Sequence, residues 1–162
     1  TANWRMSFQI RRAQQSDLDQ LVTLWHELAD LHADLLPEFA LAPAQEQSVR
    51  AHLTELLRDN NERIFVAEEN GALIGYINGA VRENPPVFVE RHVGYIADAI
   101  VSARSRRRGV GEQLVETMNA WFRERGIRIV HLSAATGNPI AQAFWRKMGY
   151  AEYMTRMRKE NL

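Results

Sequence analysis

The chain has 162 residues, 46% of them hydrophobic and 25% charged, a composition typical of one ordinary globular domain. Twenty basic residues balance twenty acidic ones, so no overall field points to a nucleic acid or an anionic membrane as partner. The absence of cysteine excludes disulfides, thiolate nucleophiles and cysteine-bound metal clusters, and we expect a cytoplasmic protein.

Apolar runs in the chain are too short for a membrane span, and the first residues lack the apolar core of a signal peptide. Met6 is expected to be the native start. Residues 1–5 would then be an expression remnant or disordered, and residues 6–162 would form the domain. The five histidines lack a metal-binding spacing such as His-Glu-x-x-His, so we expect no bound metal.

The first half of the chain is predicted to hold one strand and two helices. Residues 7–12 alternate weakly between apolar and polar side chains, and Ser16 is expected to be the N-cap of the helix that follows. From Asp17 onward, apolar residues recur at intervals of three and four, which is typical of an amphipathic helix. After an interruption, a second helix is predicted over residues 45–59.

The centre of the chain predicts a hairpin and a further strand. Residues 64–68 and 73–81 flank Asn70-Gly71, a dipeptide typical of tight hairpin turns because both of its positions favour positive φ. A further strand is predicted over residues 93–101.

A glycine-containing loop separates that strand from a helix predicted over residues 111–125. The loop reads Arg106-Arg107-Arg108-Gly109-Val110-Gly111. A helix N-terminus leaves backbone N–H groups unpaired at the positive end of the helix dipole, where phosphate groups bind. Gly109 and Gly111 would let the backbone approach such a ligand closely, because neither carries a Cβ. The sequence therefore predicts a phosphate site at this loop.

The remaining elements complete an α+β domain. A strand over residues 127–134 precedes a short helix that has Asn138 as N-cap and Pro139 at its first position. A last strand is predicted over residues 150–157. The resulting order, βααβββαβαβ, indicates a single domain with a mixed, mostly antiparallel sheet and helices on its faces.

Two motifs in this order resemble the GNAT superfamily of acyl-CoA-dependent N-acyltransferases, over most of the chain from Phe8 onward. The first is the family's Gln/Arg-x-x-Gly-x-Gly/Ala signature, matched by residues 106–111 after the strand at residues 95–101. The second is an Asn that opens a helix ending in an aromatic-rich run, matched by residues 138–150. The resemblance implies direct transfer of an acetyl group from acetyl-CoA to a primary amine, in a ternary complex.

The resemblance also implies where acetyl-CoA binds. The loop and the first helical turn would wrap the pyrophosphate, and the strand carrying Ile100 would splay away from the strand of residues 127–134 to admit the pantetheine arm. The backbone amide of Ile100 would polarise the thioester carbonyl. Asn138 would contact the coenzyme or act only as a helix cap. The implied coenzyme-binding residues are Ala99, Ile100, Val101, Arg106, Arg107, Arg108, Gly109, Val110, Gly111, Glu112 and Asn138.

Proton transfer is the step that the sequence leaves open. Asp98 is the candidate general base, because a carboxylate within an apolar strand is unexpected unless it is paired or functional. The alternative is a salt-bridged or rim-exposed Asp that orients a loop. Many family members place a Tyr where this chain has Trp145, whose indole cannot donate a titratable proton. Tyr95, Tyr150 and Tyr153 are alternative acids, and packing roles are the other explanation for each.

The acceptor amine is not identified by the sequence. Glu27, Asp30 and Asp34 share a face of the first helix that could attract a cationic acceptor or could simply face solvent. Two other functions stay open. One is an acyl-CoA-binding protein without transferase activity, and the other is a nucleic-acid-binding module that uses the arginines of residues 104–108. The last predicted strand is a candidate homodimer interface, by resemblance to relatives that dimerise through late strands.

Overall fold

The computed structural model describes residues 7–162, so the expected start at Met6 and the residues before it lie outside the described part of the chain. One five-stranded sheet forms its centre, and the strands lie side by side in chain order. Neighbouring strands are antiparallel except for the last pair, which is parallel. The strands are β1 (Gln9–Arg12), β2 (Glu62–Glu69), β3 (Ala72–Glu83), β4 (His92–Val101) and β5 (Val130–Leu132).

Helices connect the strands and follow the last of them. The helices are α1 (Leu18–Leu35), α2 (Glu46–Arg58), α3 (Val110–Glu124) and α4 (Pro139–Lys147). Short 3-10 turns cover Gln15–Asp17, Pro37–Phe39 and Ala103–Ser105. Helices α1 and α2 lie between β1 and β2 in the chain, α3 lies between β4 and β5, and α4 follows β5. This mixed, mostly antiparallel α+β architecture confirms the fold class that the sequence predicts.

Two apolar cores lie on the two faces of the sheet. On one face, Leu21 of α1 and Leu53 of α2 pack with Tyr76 of β3, and all three are fully buried. On the other face, Met118 and Phe122 of α3 are equally buried. Burial of these side chains is the main driving force for the packing of each helix layer on the sheet.

The turn between β2 and β3 confirms the predicted hairpin. Asn70 and Gly71 have φ angles of 51° and 81°, the left-handed values that this dipeptide favours. Further along β3, a Cβ on Gly79 would lie 2.4 Å from the Sδ atom of Met118. Gly79 therefore allows α3 to pack close to the sheet.

The predicted N-cap of the first helix is wrong. Ser16 lies inside the 3-10 turn, and α1 begins after Asp17. The Asp17 carboxylate accepts a hydrogen bond from the Gln14 N–H at 2.7 Å and binds the Arg11 guanidinium through two bonds of 2.8 Å. A carboxylate held by two arginine N–H donors stabilises this turn better than a serine hydroxyl can, which explains the one-residue displacement.

The last predicted strand is also wrong. Residues 150–162 form neither helix nor strand, and residues 151–162 are exposed. A strand requires a partner to satisfy its backbone groups, and this segment runs past β5 without pairing to it. The strand predicted over residues 127–134 is present only as the three residues of β5.

Candidate functional site

Strands β4 and β5 separate after a short paired stretch. Residues 94–96 of β4 pair with β5, whereas residues 97–101 have no partner on that side within the described part of the chain. The opposite edge of β4 stays paired to β3 as far as Val101. The edge of β4 that faces away from β3 is therefore unpaired over residues 97–101, as the resemblance implies, and the region beside this edge is called the cleft.

The register of β3 against β4 decides which backbone amides face this cleft. The Ser102 N–H donates to the Ile74 carbonyl at 2.8 Å, and alternate residues of an antiparallel ladder point the same way. Ile100 therefore directs its N–H at β3. Ala99 and Val101 direct theirs toward the cleft. The expected role of the Ile100 amide is corrected accordingly, because the ladder with β3 already uses it.

The loop after β4 enters α3 through residues with left-handed backbone. Arg107 has a φ of 61° and Gly109 a φ of 78°, and no side chain within residues 7–162 caps the first turn of α3. The Gln113 N–H donates to the Gly109 carbonyl at 3.1 Å and so begins the helical ladder. Three N–H groups precede it and point out of the helix end, where an anion is favoured. They belong to Val110, Gly111 and Glu112.

The two glycines of the loop have different roles. A Cβ on Gly109 would meet no atom of residues 7–162 within 4 Å, so this glycine is required by its positive φ. A Cβ on Gly111 would lie 3.4 Å from the Phe144 ring, which is a tolerable contact. Among residues 7–162, the space over Gly109 is clear of protein atoms, and a phosphate group could approach the backbone there.

Acidic residues hold two of the loop arginines. Arg108 donates to Glu69 at 3.0 Å, and this pairing lowers the pKa of Glu69 to about 2. Arg106 lies 4.0 Å from Glu27. Two arginines of the cluster are exposed and form no ion pair within residues 7–162: Arg104 and Arg107. The cluster is therefore interrupted by carboxylates, which suits a small phosphate ligand better than a long polyanion.

The acidic face predicted for α1 is only partly available to a ligand. The Glu27 carboxylate accepts a hydrogen bond from the Ala103 N–H at 3.1 Å in addition to its contact with Arg106. Asp30 and Asp34 are exposed. Through these two contacts, Glu27 connects the loop that follows β4 to helix α1.

Helix α4 lies beside the start of α3. Its N-cap is Asn138, whose Oδ1 accepts a hydrogen bond from the Ala141 N–H at 3.1 Å, with Pro139 at the first helical position. At the other end of α4, Lys147 donates to Glu112 of α3 at 2.5 Å. The cap predicted for Asn138 is confirmed, and its contact with the coenzyme stays a prediction.

Asp98 faces a buried phenol. The Tyr76 hydroxyl donates a hydrogen bond of 3.4 Å to Oδ2 of Asp98. Tyr76 is fully buried and Asp98 is half-buried. Asp98 forms no salt bridge within residues 7–162, so the alternative of a salt-bridged Asp98 does not apply to this structure. The sequence did not single out Tyr76, because the register of β3 against β4 is not visible in either segment alone.

A β-bulge sets the direction of the Asp98 side chain. Asn78 pairs with Asp98 and Gly79 with Ile96, so Ala97 is the extra residue between them. Ile96 belongs to the core under α3, whereas Asp98 meets Tyr76 on the face covered by α1 and α2. Strict alternation would place both on one face. The bulge therefore turns Asp98 toward α1 and α2.

Burial raises the pKa of the Asp98 carboxyl above its ordinary value. His32 of α1, the Tyr76 hydrogen bond and His52 of α2 each oppose that shift. Burial also raises the pKa of Tyr76 well above its usual value, so its hydroxyl remains a donor at neutral pH. A carboxylate with a raised pKa is better matched to accepting a proton from an amine.

The aromatic residues considered as acids make other contacts. Trp145 packs edge-on against Tyr150, with ring centroids 5.3 Å apart. The Tyr150 hydroxyl donates to Asn119 at 2.9 Å. The Tyr153 ring stacks on a histidine ring at 4.9 Å, and the Tyr95 ring lies 3.8 Å from an arginine guanidinium. Among the described residues, Tyr76 is the tyrosine whose hydroxyl contacts Asp98.

Two further observations concern metals and membranes. Among residues 7–162, no group of three or more His, Asp or Glu side chains is arranged to hold a metal ion. No helix in this range is long and apolar enough to cross a membrane.

Comparisons with known proteins identify the family of this chain. The model of the Acetyltransferase (GNAT) family matches residues 25–150. Glucosamine 6-phosphate N-acetyltransferase 1 from Oryza sativa subsp. japonica is 28% identical over 122 residues, which cover 71% of this chain and 69% of that protein.

Two solved structures share the fold over nearly the whole chain. An aminoglycoside acetyltransferase from an uncultured soil metagenomic sample, solved in complex with sisomicin, is 25% identical, with a TM-score of 0.72 and coverage of 96% of this chain and 97% of that one. The aminoglycoside N-acetyltransferase AAC(6')-Iy, solved in complex with CoA, is 20% identical, with a TM-score of 0.75 and coverage of 99% and 100%.

Proposed function

The chain belongs to the Acetyltransferase (GNAT) family, and from this premise we propose that it transfers an acetyl group directly from acetyl-CoA to a primary amine within a ternary complex. Membership of the family supports an acetyl-CoA-dependent N-acetyltransferase over a CoA-binding protein without activity. The observation that supports direct transfer is the adjacency of Asp98 and Ala99. The first presents a carboxylate toward α1 and α2, and the second presents an N–H to the cleft.

The coenzyme is proposed to lie along the cleft and over the start of α3. The amides of Val110, Gly111 and Glu112, which have no partner within residues 7–162, would bind its pyrophosphate. Arg104 and Arg107 supply unpaired positive charge for the phosphate groups. The cleft amides of Ala99 and Val101 would donate to the pantetheine arm and to the thioester carbonyl, where negative charge develops during attack.

Asp98 is proposed to remove the proton that keeps the amine from attacking. A primary amine with a pKa of ~10.4 is only about one part in a thousand neutral at pH 7. Asp98 would accept a proton from the ammonium, directly or through a water, and its raised pKa favours this transfer. Tyr76 would hold the carboxylate in place through its hydrogen bond.

The leaving group is proposed to depart as a thiolate. Trp145 has no titratable proton, and the Tyr150 hydroxyl already donates its hydrogen bond to Asn119. A thiol has a pKa of ~8.5, so its anion is a tolerable leaving group near neutral pH. The thiolate can then take up a proton from water once the amide bond has formed.

The proposal is tested by steady-state kinetics with acetyl-CoA and a panel of primary amines. Thiol release is followed optically, and the N-acetylated product is identified by mass spectrometry. We expect amine-dependent release and initial-rate lines that intersect when both substrates are varied. Parallel lines would instead indicate a covalent acetyl-enzyme. Stabilisation by CoA without any amine-dependent release would support the binding protein.

A homodimer is part of the proposal. Strand β5 has a neighbour on one edge only within residues 7–162, and its free edge can pair with another chain. Tyr153, Met154 and Met157 expose 65%, 73% and 92% of their surface in the segment after α4. Light scattering on the purified protein tests this point.

The cytoplasm remains the expected location, based on the lack of cysteine.

A further inference from the structure

A second polar group lies beside Asp98 on the same face of the sheet. Asn78 of β3 is paired with Asp98 of β4 on one side and with Ile64 of β2 on the other. Glu62 is two residues before Ile64 and therefore points to the same face. The carboxylate of Glu62, the amide of Asn78 and the carboxylate of Asp98 thus follow one another across three adjacent strands.

Two oxygen atoms of this group lack a hydrogen-bond donor. Asn78 is only 3% exposed, and its Oδ1 accepts no hydrogen bond within residues 7–162. Glu62 Oε2 is buried and likewise without a donor in the described part of the chain. Buried acceptors are normally paired, so two unpaired ones on the same face of adjacent strands indicate acceptors that a ligand's donors can satisfy.

The charges around these atoms favour a cation. Burial raises the pKa of Glu62, and the negative charges of Asp59 and Asp98 raise it further. The positive charge of Arg82 and a hydrogen bond with the Asn78 side chain lower the pKa of Glu62 and so oppose that shift. The Arg82 guanidinium itself lies over the Tyr95 ring, with its carbon 3.8 Å from the ring centre. Asp59 and Asp98 thus add negative charge around Glu62 against the single guanidinium of Arg82, while His32 and His52 act on Asp98, so a positively charged donor suits Glu62 Oε2.

We propose that Glu62 and Asn78 form a second acceptor subsite, which binds a cationic nitrogen of the substrate while Asp98 receives the reacting amine. The inference rests on the proposed function and adds the substrate class, which is an amine carrying a second ammonium group. An ammonium has three donors and no acceptor, so it can satisfy Asn78 Oδ1 and Glu62 Oε2 together. A neutral hydroxyl could donate to one oxygen but would leave the negative charge unbalanced.

The spacing of the strands limits the length of such a substrate. Adjacent strands lie ~4.8 Å apart, and Glu62 is displaced from the level of Asp98 by two residues, or ~7 Å, along the strand, so their backbones are separated by about 12 Å. Their side chains extend from the same face and can approach each other. The substrates proposed for this spacing are a short alkyl diamine and an aminoglycoside with amines on neighbouring positions.

The test compares putrescine with butylamine, which differ only in the second amine. We expect kcat/KM of the wild type to be at least tenfold higher for putrescine, and E62Q to bring the ratio of the two values close to one. The matched control is E55Q, which changes an exposed glutamate of α2 and should keep the wild-type ratio. The value of kcat/KM for sisomicin is measured in the same way. Its comparison with the value for putrescine shows whether an aminoglycoside or a linear diamine is the better substrate with two ammonium groups.

The outcomes separate the subsite from the underlying activity. If the wild type acetylates butylamine and putrescine equally well, the subsite is rejected and the transferase remains. A putrescine preference that survives in E62Q also rejects it. Absence of turnover with every amine would overturn the proposed function itself. Melting curves of CoA-saturated wild type provide a second measurement, in which putrescine should stabilise the protein more than butylamine does.

Discussion

The Tyr76 hydroxyl donates to the Asp98 carboxylate at 3.4 Å, joining a fully buried residue of β3 to the half-buried residue on β4 that lies beside the cleft. The contact depends on the bulge at Ala97, which turns Asp98 away from the core under α3. Burial raises the pKa of this carboxylate and the Tyr76 hydrogen bond fixes its direction, and a general base benefits from both.

Replacing Asp98 by Asn is expected to lower kcat by about 10²–10⁴-fold, because the base is lost while the shape of the side chain is kept. The affinity for acetyl-CoA should change little. Rapid-mixing kinetics and calorimetric titration measure the two quantities. Full activity of Asp98→Asn at neutral pH would dismiss Asp98 as the base.

The same substitution should raise thermal stability at neutral pH. The pKa of Asp98 is higher in the folded chain than in the unfolded chain, so the folded state binds its proton more tightly. The stabilising contribution of this carboxyl is therefore complete below its ordinary pKa and disappears as the pH rises through the raised value. Melting temperatures of wild type and Asp98→Asn should differ at pH 7 and converge at acid pH. A lower melting temperature for the variant at pH 7 would contradict this.

Replacing Tyr76 by Phe should move the acidic limb of the pH profile of kcat/KM to higher pH. The Tyr76 hydrogen bond lowers the pKa of Asp98, while His32 and His52 act in the same direction and remain in place. The matched control is Tyr150→Phe, which also removes a phenol hydrogen bond, at a cost of about 1 kcal/mol, but away from Asp98. An identical shift in both variants would remove the assigned role of Tyr76.

Replacing Gly109 by Val should weaken CoA binding at least tenfold, because a β-branched residue resists the φ of 78° and its side chain enters the space above the loop. Gly71→Val is the matched control, since Gly71 has a φ of 81° and equally clear surroundings in the hairpin turn. Both variants should lose about 1–2 kcal/mol of stability. Equal CoA affinities in the two variants would argue against the phosphate site.

Replacing Asp17 by Asn should destabilise the fold by about 1.5–3 kcal/mol at pH 7, since a charged hydrogen-bond partner of Arg11 is lost. Arg11 lowers the pKa of Asp17, so the wild type loses this advantage as the pH falls through the lowered value. Urea unfolding at several pH values should therefore show the two proteins converging in acid. Asp19→Asn is the control, because Asp19 is exposed and its pair with Arg50 contributes at most about 1 kcal/mol.

The sequence predicts the elements whose residues carry their own signals. The apolar stripes of α1 and α3 mark their buried faces, and the Asn70-Gly71 dipeptide fixes the hairpin because both positions adopt positive φ. The loop of residues 106–111, with its arginines and glycines, likewise predicts the start of α3. In each case, a few neighbouring residues determine the local structure.

Features that depend on pairing between distant segments could not be predicted. Strict alternation would place Asp98 on the face of Ile96, and only the paired register of β3 and β4 reveals the bulge at Ala97. Tyr76 and Asn78 become candidates for function only once that register is known. The predicted strand at residues 150–157 failed for the same reason, because strand-like residues form no strand without a partner.

Isothermal titration of acetyl-CoA into the wild-type protein tests the central claim, that the start of α3 and the cleft beside β4 bind the acetyl donor. We predict saturable heat with one molecule bound per chain, and an increase in melting temperature that grows with ligand concentration. Neither heat nor any change in melting temperature at saturating acetyl-CoA would contradict it.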